Sequence, residues 1–172
     1  MHKVPFVSQR ERAFPNVTCG VAATMMLLRF HLPRARVPSY RELLHSFGFY
    51  QPCEPDSPSI NGLDRADVAS CLRRLAISYR TTRLNNTATR AALRQRIRHA
   101  PAMVGMGRNL RRWGSSGHWV VVIKIDEDGV LILDPQNRQA HKRPIKLRTS
   151  TFRQEWDGAS IQILGARSLG SR

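Results

Sequence analysis

The feature that most constrains the fold is a change in the hydrophobic pattern near residue 100. Before it, apolar residues recur at three- and four-residue spacing, which is typical of amphipathic helices. After it, they form short β-branched runs, of which the clearest are His118–Ile125 and Val130–Leu133, with turn chemistry at Asp128-Gly129 between them. Helices followed by antiparallel strands predict an α+β domain, with a helical N-terminal part packed on a C-terminal sheet.

The N-terminal part predicts several helices. The first starts at Cys19 with Thr18 as its cap, and Pro33 ends it. The second has Ser39 as its cap and Glu42 three residues later, which is the capping-box arrangement. The other predicted segments are helices over 64–75 and 88–99 (the latter capped by Thr87), a loop over 51–62, and strands over 77–82, 102–106 and 159–164.

The length and composition predict one globular domain over residues 1–172. The hydrophobic fraction is 41% and the charged fraction 23%, and the sequence shows neither a repeat nor a linker. No apolar run is long enough to span a membrane, and the N-terminus lacks the features of a signal peptide. The three scattered cysteines do not suggest a disulfide framework, so a reducing cytoplasm is the expected site of action.

The chain carries a net charge of +16, and its estimated pI is about 11.4. Such a positive field attracts acidic proteins, nucleic acids and anionic surfaces, so the charge alone does not identify a specific partner. The arginines are spread along the chain, and no aromatic residues alternate with them as base-stacking platforms. A solvated basic surface is therefore favoured over dedicated nucleic-acid recognition, which stays open as an alternative.

Cys19 is the first candidate for chemistry, because it lies at the predicted first turn of a helix. Exposed N–H groups and the helix dipole favour the thiolate there, and the thiolate is the attacking species in cysteine hydrolases. A cysteine next to Gly20 on an apolar helix is, taken alone, more often a small buried hydrophobe. Cys71 is expected to pack on a helix and Cys53 to lie in a loop, both without function.

His118 and Asp134 form a candidate pair. A hairpin centred on Asp126, with a wide loop or a bulge, would place them directly opposite each other, within hydrogen-bonding distance. The carboxylate would then fix the orientation of an imidazole that acts as a base. The alternative is that Asp134 only closes the strand before Pro135. Gln9 is a fourth candidate, since its amide could stabilise an oxyanion, although from the residues alone a polar loop side chain is the simpler interpretation.

These segments together resemble papain-like peptidases related to the leader-processing domains of bacteriocin exporters. The resemblance lies in 4–9, 19–22, 117–122 and 130–135, and in the pair Phe152 and Trp156, which fits a closing Phe-x-x-x-Trp pattern. It implies a papain-like fold with Cys19 as nucleophile, His118 as base, Asp134 as orienting group and Gln9 as oxyanion donor. Departures from the family pattern include Thr18, where an acidic residue commonly precedes the cysteine, and Val21, where a proline is frequent.

The function expected from this resemblance is cleavage of a protein substrate by a cysteine protease. Deamidation of, or acyl transfer on, a glutamine side chain uses the same thiol chemistry, and a non-catalytic binding module is the third alternative. Because the chain begins almost at its first functional segment, we expect a module of a larger protein, such as a toxin or effector delivered into a bacterial cell. An acidic immunity or inhibitor protein would suit its charge. No cofactor or metal is predicted, since the histidines show no ligand spacing with the cysteines.

Overall fold

The computed structural model describes residues 1–9, 18–48, 63–83, 88–107, 117–136 and 144–166. Residues 1–9 form neither helix nor strand. The elements in chain order are α1 (Cys19–His31), a 3₁₀ turn (Arg34–Arg36), α2 (Tyr40–Ser46), α3 (Arg65–Arg74), β1 (Ile77–Arg83), α4 (Ala88–Ile97), β2 (Ala102–Met106), β3 (His118–Ile125), β4 (Val130–Leu133), β5 (Ile145–Leu147), α5 (Thr149–Glu155) and β6 (Trp156–Ala166).

A six-stranded sheet forms the centre of the molecule, with the strand order β1-β6-β2-β3-β4-β5. Every neighbouring pair in it is antiparallel. The predicted α+β architecture is therefore confirmed. Strand β1, which precedes helix α4 in the chain, is placed at one edge by pairing with the last strand, β6.

Helices cover both faces of this sheet, because the strand residues alternate between two cores. In β3, Val121 belongs to the core that contains α1, α2 and α3, whereas Val120 and Val122 belong to the core that contains α4 and α5. This period of two is the pattern expected of a strand buried on both sides. In the second core, the rings of Phe152 and Trp156 stack with their centroids 5.5 Å apart.

Helix caps were predicted with mixed success. The capping box of α2 is confirmed, since Ser39 accepts from the N–H of Glu42 and Glu42 accepts from that of Ser39. Thr18 occupies the cap position of α1, as predicted, but its ψ of 19° is not the extended conformation of a capping residue, and its side chain makes no capping bond. The N–H groups at the start of α1 are therefore left for other partners.

Several predictions about other segments need correction or lie outside the described residues. The helix predicted to reach residue 99 ends at Ile97, and neither β5 nor α5 was expected. Thr87, Cys53 and the predicted loop over 51–62 belong to the parts of the chain that are not described. Within the described ranges, no helix combines the length and apolarity that a bilayer crossing requires.

Candidate active site

Cys19 is the first residue of α1, as the sequence predicted, and it is 6% exposed. The backbone N–H groups of Gly20 and Trp119 donate to its sulfur. Gly20 permits this close arrangement, because a Cβ atom at that position would lie 3.1 Å from Leu63 and 3.2 Å from the Trp119 ring. The sulfur therefore sits where a helix end and the start of strand β3 both supply N–H donors to a negative charge.

His118 is the first residue of β3 and is 5% exposed. Its Nε2 lies 2.6 Å from Oδ1 of Asp134. The ring also forms a hydrogen bond with Cys19, and since Nε2 faces Asp134, Nδ1 is the nitrogen left for the sulfur. The chain enters this strand through Gly117, whose φ of 74° is readily adopted only by glycine. The structure thus brings the thiol, the imidazole and the carboxylate into one hydrogen-bonded chain.

The hairpin that joins His118 to Asp134 differs from the one expected. Strand residue Val121 pairs with Leu133, so one more step along the ladder puts Asp134 opposite Val120, and direct opposition to His118 was wrong. The loop is the short segment 126–129, and a bulge interrupts the register between Val122 and Lys124. The imidazole reaches the carboxylate diagonally, a separation that long side chains on neighbouring strands can span.

The carboxylate of Asp134 is held from behind as well. Its Oδ1 accepts the N–H of Gln136 at 2.8 Å, the bond of a turn closing after β4. The carbonyl of the intervening Pro135 accepts the backbone N–H of Gln9 at 3.1 Å. Asp134 thus closes its strand, as the simpler interpretation held, and its Oδ1 also lies within hydrogen-bonding distance of His118 Nε2.

Gln9 is placed beside this turn and is 2% exposed. The backbone bond to Pro135 anchors the N-terminal segment next to the carboxylate end of the hydrogen-bonded chain. Burial to this degree is unusual for a glutamine, because glutamine side chains are mostly exposed in folded proteins.

The pKa values of the pair follow from these contacts. Burial opposes the imidazolium, but the bonds to Asp134 and Cys19 and the charges of both raise the pKa of His118 to about 9. Burial likewise opposes the thiolate of Cys19, yet the bond to His118, its charge and the N–H groups of Trp119 and Gly20 lower the pKa of Cys19 overall. Each charge stabilises the other, which favours the thiolate–imidazolium pair over the neutral thiol and imidazole.

A cleft of about 360 Å³ opens onto this pair. It is lined by Cys19, Leu63, Asp64, Arg65, Ala66, Gly105, Met106, Gly117, His118, Trp119, Asp157 and Ala159. Its walls come from the start of α3, the end of β2 and the start of β6, and sequence reasoning singled out none of them. Nothing local marks these residues, because only the strand order makes β2 and β6 neighbours.

Cys71 lies in α3 as expected and is fully buried. In the described part of the chain, burial raises its pKa to about 11 despite the charge of Arg74. In the same described part, no group of three or more His, Cys, Asp and Glu side chains is arranged to hold a metal ion.

A family model for the Peptidase_C39 like family matches residues 1–163. No curated protein sequence matches the chain at a significant level. The match covers every residue of the candidate site, from Gln9 to Asp157, so it extends across both the helical part and the sheet.

Three solved structures illustrate the likeness in fold. A C39-like peptidase structure from Bacillus anthracis has a TM-score of 0.68 at 15% identity, with 95% of this chain and 96% of that chain covered. The peptidase domain of Streptococcus ComA, a bi-functional ABC transporter involved in quorum sensing, gives 0.67 at 15% identity, covering 94% and 98%. A double glycine motif protease from an AMS/PCAT transporter, solved with the leader peptide, gives 0.62 at 17% identity, covering 94% and 91%. The papain-like fold predicted from the sequence is confirmed.

Proposed function

The chain belongs to the Peptidase_C39-like family of papain-like cysteine peptidases, and from this premise we propose that it cleaves a peptide bond in a protein substrate through Cys19, His118 and Asp134. The observation that carries the proposal is the buried hydrogen-bonded chain of these three groups, of which Cys19 and His118 line an open cleft. An inert buried cysteine would need neither the imidazole nor the carboxylate behind it.

In the first step, the thiolate of Cys19 attacks the carbonyl carbon of the scissile bond. A carbon–sulfur bond forms, and the carbonyl oxygen becomes an oxyanion. As the carbon–nitrogen bond breaks, imidazolium His118 gives its Nδ1 proton to the leaving amine. Asp134 keeps the ring aligned by accepting from Nε2 throughout, so the same geometry serves both proton transfers.

In the second step, neutral His118 takes a proton from a water molecule that attacks the thioester. The carbon–sulfur bond breaks, the product acid leaves, and the thiolate–imidazolium pair is restored. We assign the oxyanion site to the backbone N–H of Cys19 and the side-chain amide of Gln9. The burial of Gln9, and its anchoring beside the Asp134 turn, support this assignment.

The protein substrate itself is inferred from the family and from the cleft. The solved double glycine motif protease was crystallised with a leader peptide, which is a property of that protein. For this chain we propose an extended peptide segment that enters the cleft, because an open cleft beside the sulfur suits a chain passing through better than a small enclosed molecule.

We propose further that the peptidase acts as a delivered toxin or effector and meets an acidic inhibitor. The net charge of +16 supports the second part, since it would steer an acidic protein to the surface. Expression of the wild type and of Cys19→Ala in a bacterial cytoplasm tests the first part. Growth arrest by the wild type alone is expected, and equal growth of the two strains would contradict a toxic role.

The proposed reaction is tested by mass spectrometry of proteins exposed to the wild type, to Cys19→Ala and to His118→Ala. We expect new peptide termini with the wild type and none with either variant. A mass increase of about one dalton on glutamine, without chain cleavage, would instead indicate deamidation of a side-chain amide by the same thiol. No Cys19-dependent change in any protein would leave binding without turnover, and would overturn the proposal.

A further inference from the structure

Gly105 in β2 borders the candidate site, and its backbone conformation does not explain why it is a glycine. It is absent from the described glycines with positive φ, and a glycine inside a strand weakens that strand. What the missing side chain provides is space. A Cβ atom at this position would lie 2.4 Å from Oδ2 of Asp157 and 2.8 Å from its Cγ. The carboxylate of Asp157 therefore lies directly against the bare backbone of β2.

The position of this carboxylate is fixed by its own strand. Oδ1 of Asp157 accepts the N–H of Ala159 at 2.7 Å, and the intervening Gly158 has a φ of 89°. The indole N–H of Trp156 donates to the carbonyl of Ala159 at 2.8 Å, which closes the same turn from the other side. The start of β6 thus holds Asp157 so that Oδ2 faces β2.

Asp157 and Gly105 line the same cleft as Cys19 and His118. Met106 pairs with His118 across β2 and β3, so Gly105 is one strand residue from the position opposite the imidazole. A substrate residue next to the scissile bond would therefore come within reach of the carboxylate. Asp157 is an exposed residue of the cleft wall.

Apart from Asp157 and the Cys19–His118 pair, the charged residues among the described lining of the cleft are two, and both belong to the wall formed by α3. Asp64 accepts the N–H of Asp67 at 2.8 Å and so serves as the cap of that helix, with Arg65 beside it. On the wall formed by β2 and β6, the charged residue among the described lining residues is Asp157. In a chain with a net charge of +16, Asp157 places a negative charge on the wall of the cleft that contains the reactive sulfur.

We propose that Asp157 is a specificity-determining residue, which binds the ammonium or guanidinium group of a substrate lysine or arginine next to the scissile bond. This inference rests on the proposed peptidase function and names the chemistry of one substrate side chain. A carboxylate bound to a cation forms a charge-assisted hydrogen bond, stronger than a neutral one. Gly105 serves this role by leaving room for the carboxylate at the cleft wall.

The test uses peptidyl electrophiles that alkylate the active-site thiol, matched in length and carrying lysine, norleucine or glutamate at one position at a time. Norleucine has a similar aliphatic stem without the charge, so the lysine-to-norleucine rate ratio isolates the ionic contact. We expect a ratio of about tenfold or more at one position in the wild type, which is the range of a hydrogen bond to a charged group. Mass spectrometry of the adducts assigns each one to Cys19.

Asp157→Asn is the decisive variant, because an asparagine carbonyl can still accept the N–H of Ala159 while the charge is lost. The ratio should fall to within about twofold of unity. Asp64→Asn is the matched control, since it removes the other carboxylate of the cleft and keeps a helix-capping oxygen; it should leave the ratio close to that of the wild type. Gly105→Ala, which crowds the carboxylate, should lower the ratio without any change of charge.

The rate of alkylation by iodoacetamide separates the two levels of the proposal, because this small reagent has no side chain to bind. If iodoacetamide does not react selectively with Cys19 in the wild type, the peptidase function itself fails. If Cys19 is selectively reactive but lysine has no advantage at any position, or the advantage survives Asp157→Asn, only the assignment of Asp157 is overturned. If only Asp64→Asn abolished the advantage of lysine over norleucine, the substrate cation would bind to Asp64 on the α3 wall, and the proposal would be contradicted.

Discussion

Two cysteines of this molecule lie on helices and are removed from solvent, yet their surroundings drive their thiols in opposite directions. Cys71 sits within α3, where burial raises its pKa to about 11. Cys19 sits at the start of α1, where burial also tends to raise the pKa of the thiol. His118 and two backbone N–H groups outweigh this effect, so the pKa of Cys19 is lowered. Burial alone therefore does not decide whether a cysteine is inert; the position on the helix and the partner do.

The first and largest expected difference is in turnover. Cys19→Ala should lower kcat/KM for a cleaved protein by at least about a thousandfold, because the covalent route is lost. Cys71→Ala should leave kcat/KM within about twofold, since Cys71 is not among the residues that line the cleft. Quantitative mass spectrometry of cleavage products measures both. A Cys71→Ala variant that is folded by circular dichroism but as inactive as Cys19→Ala would contradict the proposed difference between the two cysteines.

The second difference concerns Asp134. Asp134→Ala should lower kcat/KM by about a hundredfold, because the imidazole loses both its alignment and its stabilising charge. Asp134→Asn keeps an acceptor for Nε2–H and should lose less, about tenfold. Stopped assays at several substrate concentrations give both values. Equal losses in the two variants would mean that alignment of the ring contributes nothing beyond charge.

The third prediction is a pH dependence. His118 has a folded-state pKa raised to about 9, so its proton is fully present well below that pH and is lost as the pH rises through it. Because the imidazolium is the acid that protonates the leaving amine, kcat/KM should fall on the alkaline side near pH 9. Asp134→Ala should move this alkaline limb to lower pH, since Asp134 helps to raise the pKa. A limb that stays in place would show that the carboxylate does not act on the imidazole.

The smallest expected effect is on stability, and here the substitution of Cys71 should have the larger effect of the two cysteines. Cys71→Ser places a hydroxyl in a fully buried position and should lower the free energy of unfolding by about 1–3 kcal/mol. Cys19→Ser keeps a side chain of similar size that can still bond to His118, and should change it by less than about 1 kcal/mol. Urea unfolding followed by circular dichroism measures both. A larger loss at Cys19 would assign it a structural role as well.

The parts of this structure that sequence reasoning predicted depend on neighbours in the chain. The capping box of Ser39 and Glu42 spans three residues, and the helix start at Cys19 follows from the apolar spacing after it. The contact of His118 with Asp134 arises within one hairpin, but its diagonal register depends on a bulge that leaves no mark in the residue pattern. The short strand β5 and the helix α5, which has no side-chain cap, carry equally little local signal.

The walls of the cleft could not have been predicted in this way. Gly105 and Asp157 meet because β6 inserts between β1 and β2, and a strand order of this kind is decided by tertiary packing rather than by periodicity. The same holds for the approach of Cys19 to His118, which are far apart in the sequence. Only the resemblance to a family suggested that these two would meet.

The most direct measurement of the central claim is the pH dependence of iodoacetamide alkylation at each cysteine, followed by mass spectrometry of the labelled peptides. In the wild type, Cys19 should be alkylated near pH 6–7 at least about tenfold faster than Cys71, because only the thiolate reacts. In His118→Ala, the alkylation of Cys19 should require a more alkaline pH. Similar rates at Cys19 and Cys71, or an unchanged Cys19 profile in His118→Ala, would contradict an activated thiolate–imidazolium pair.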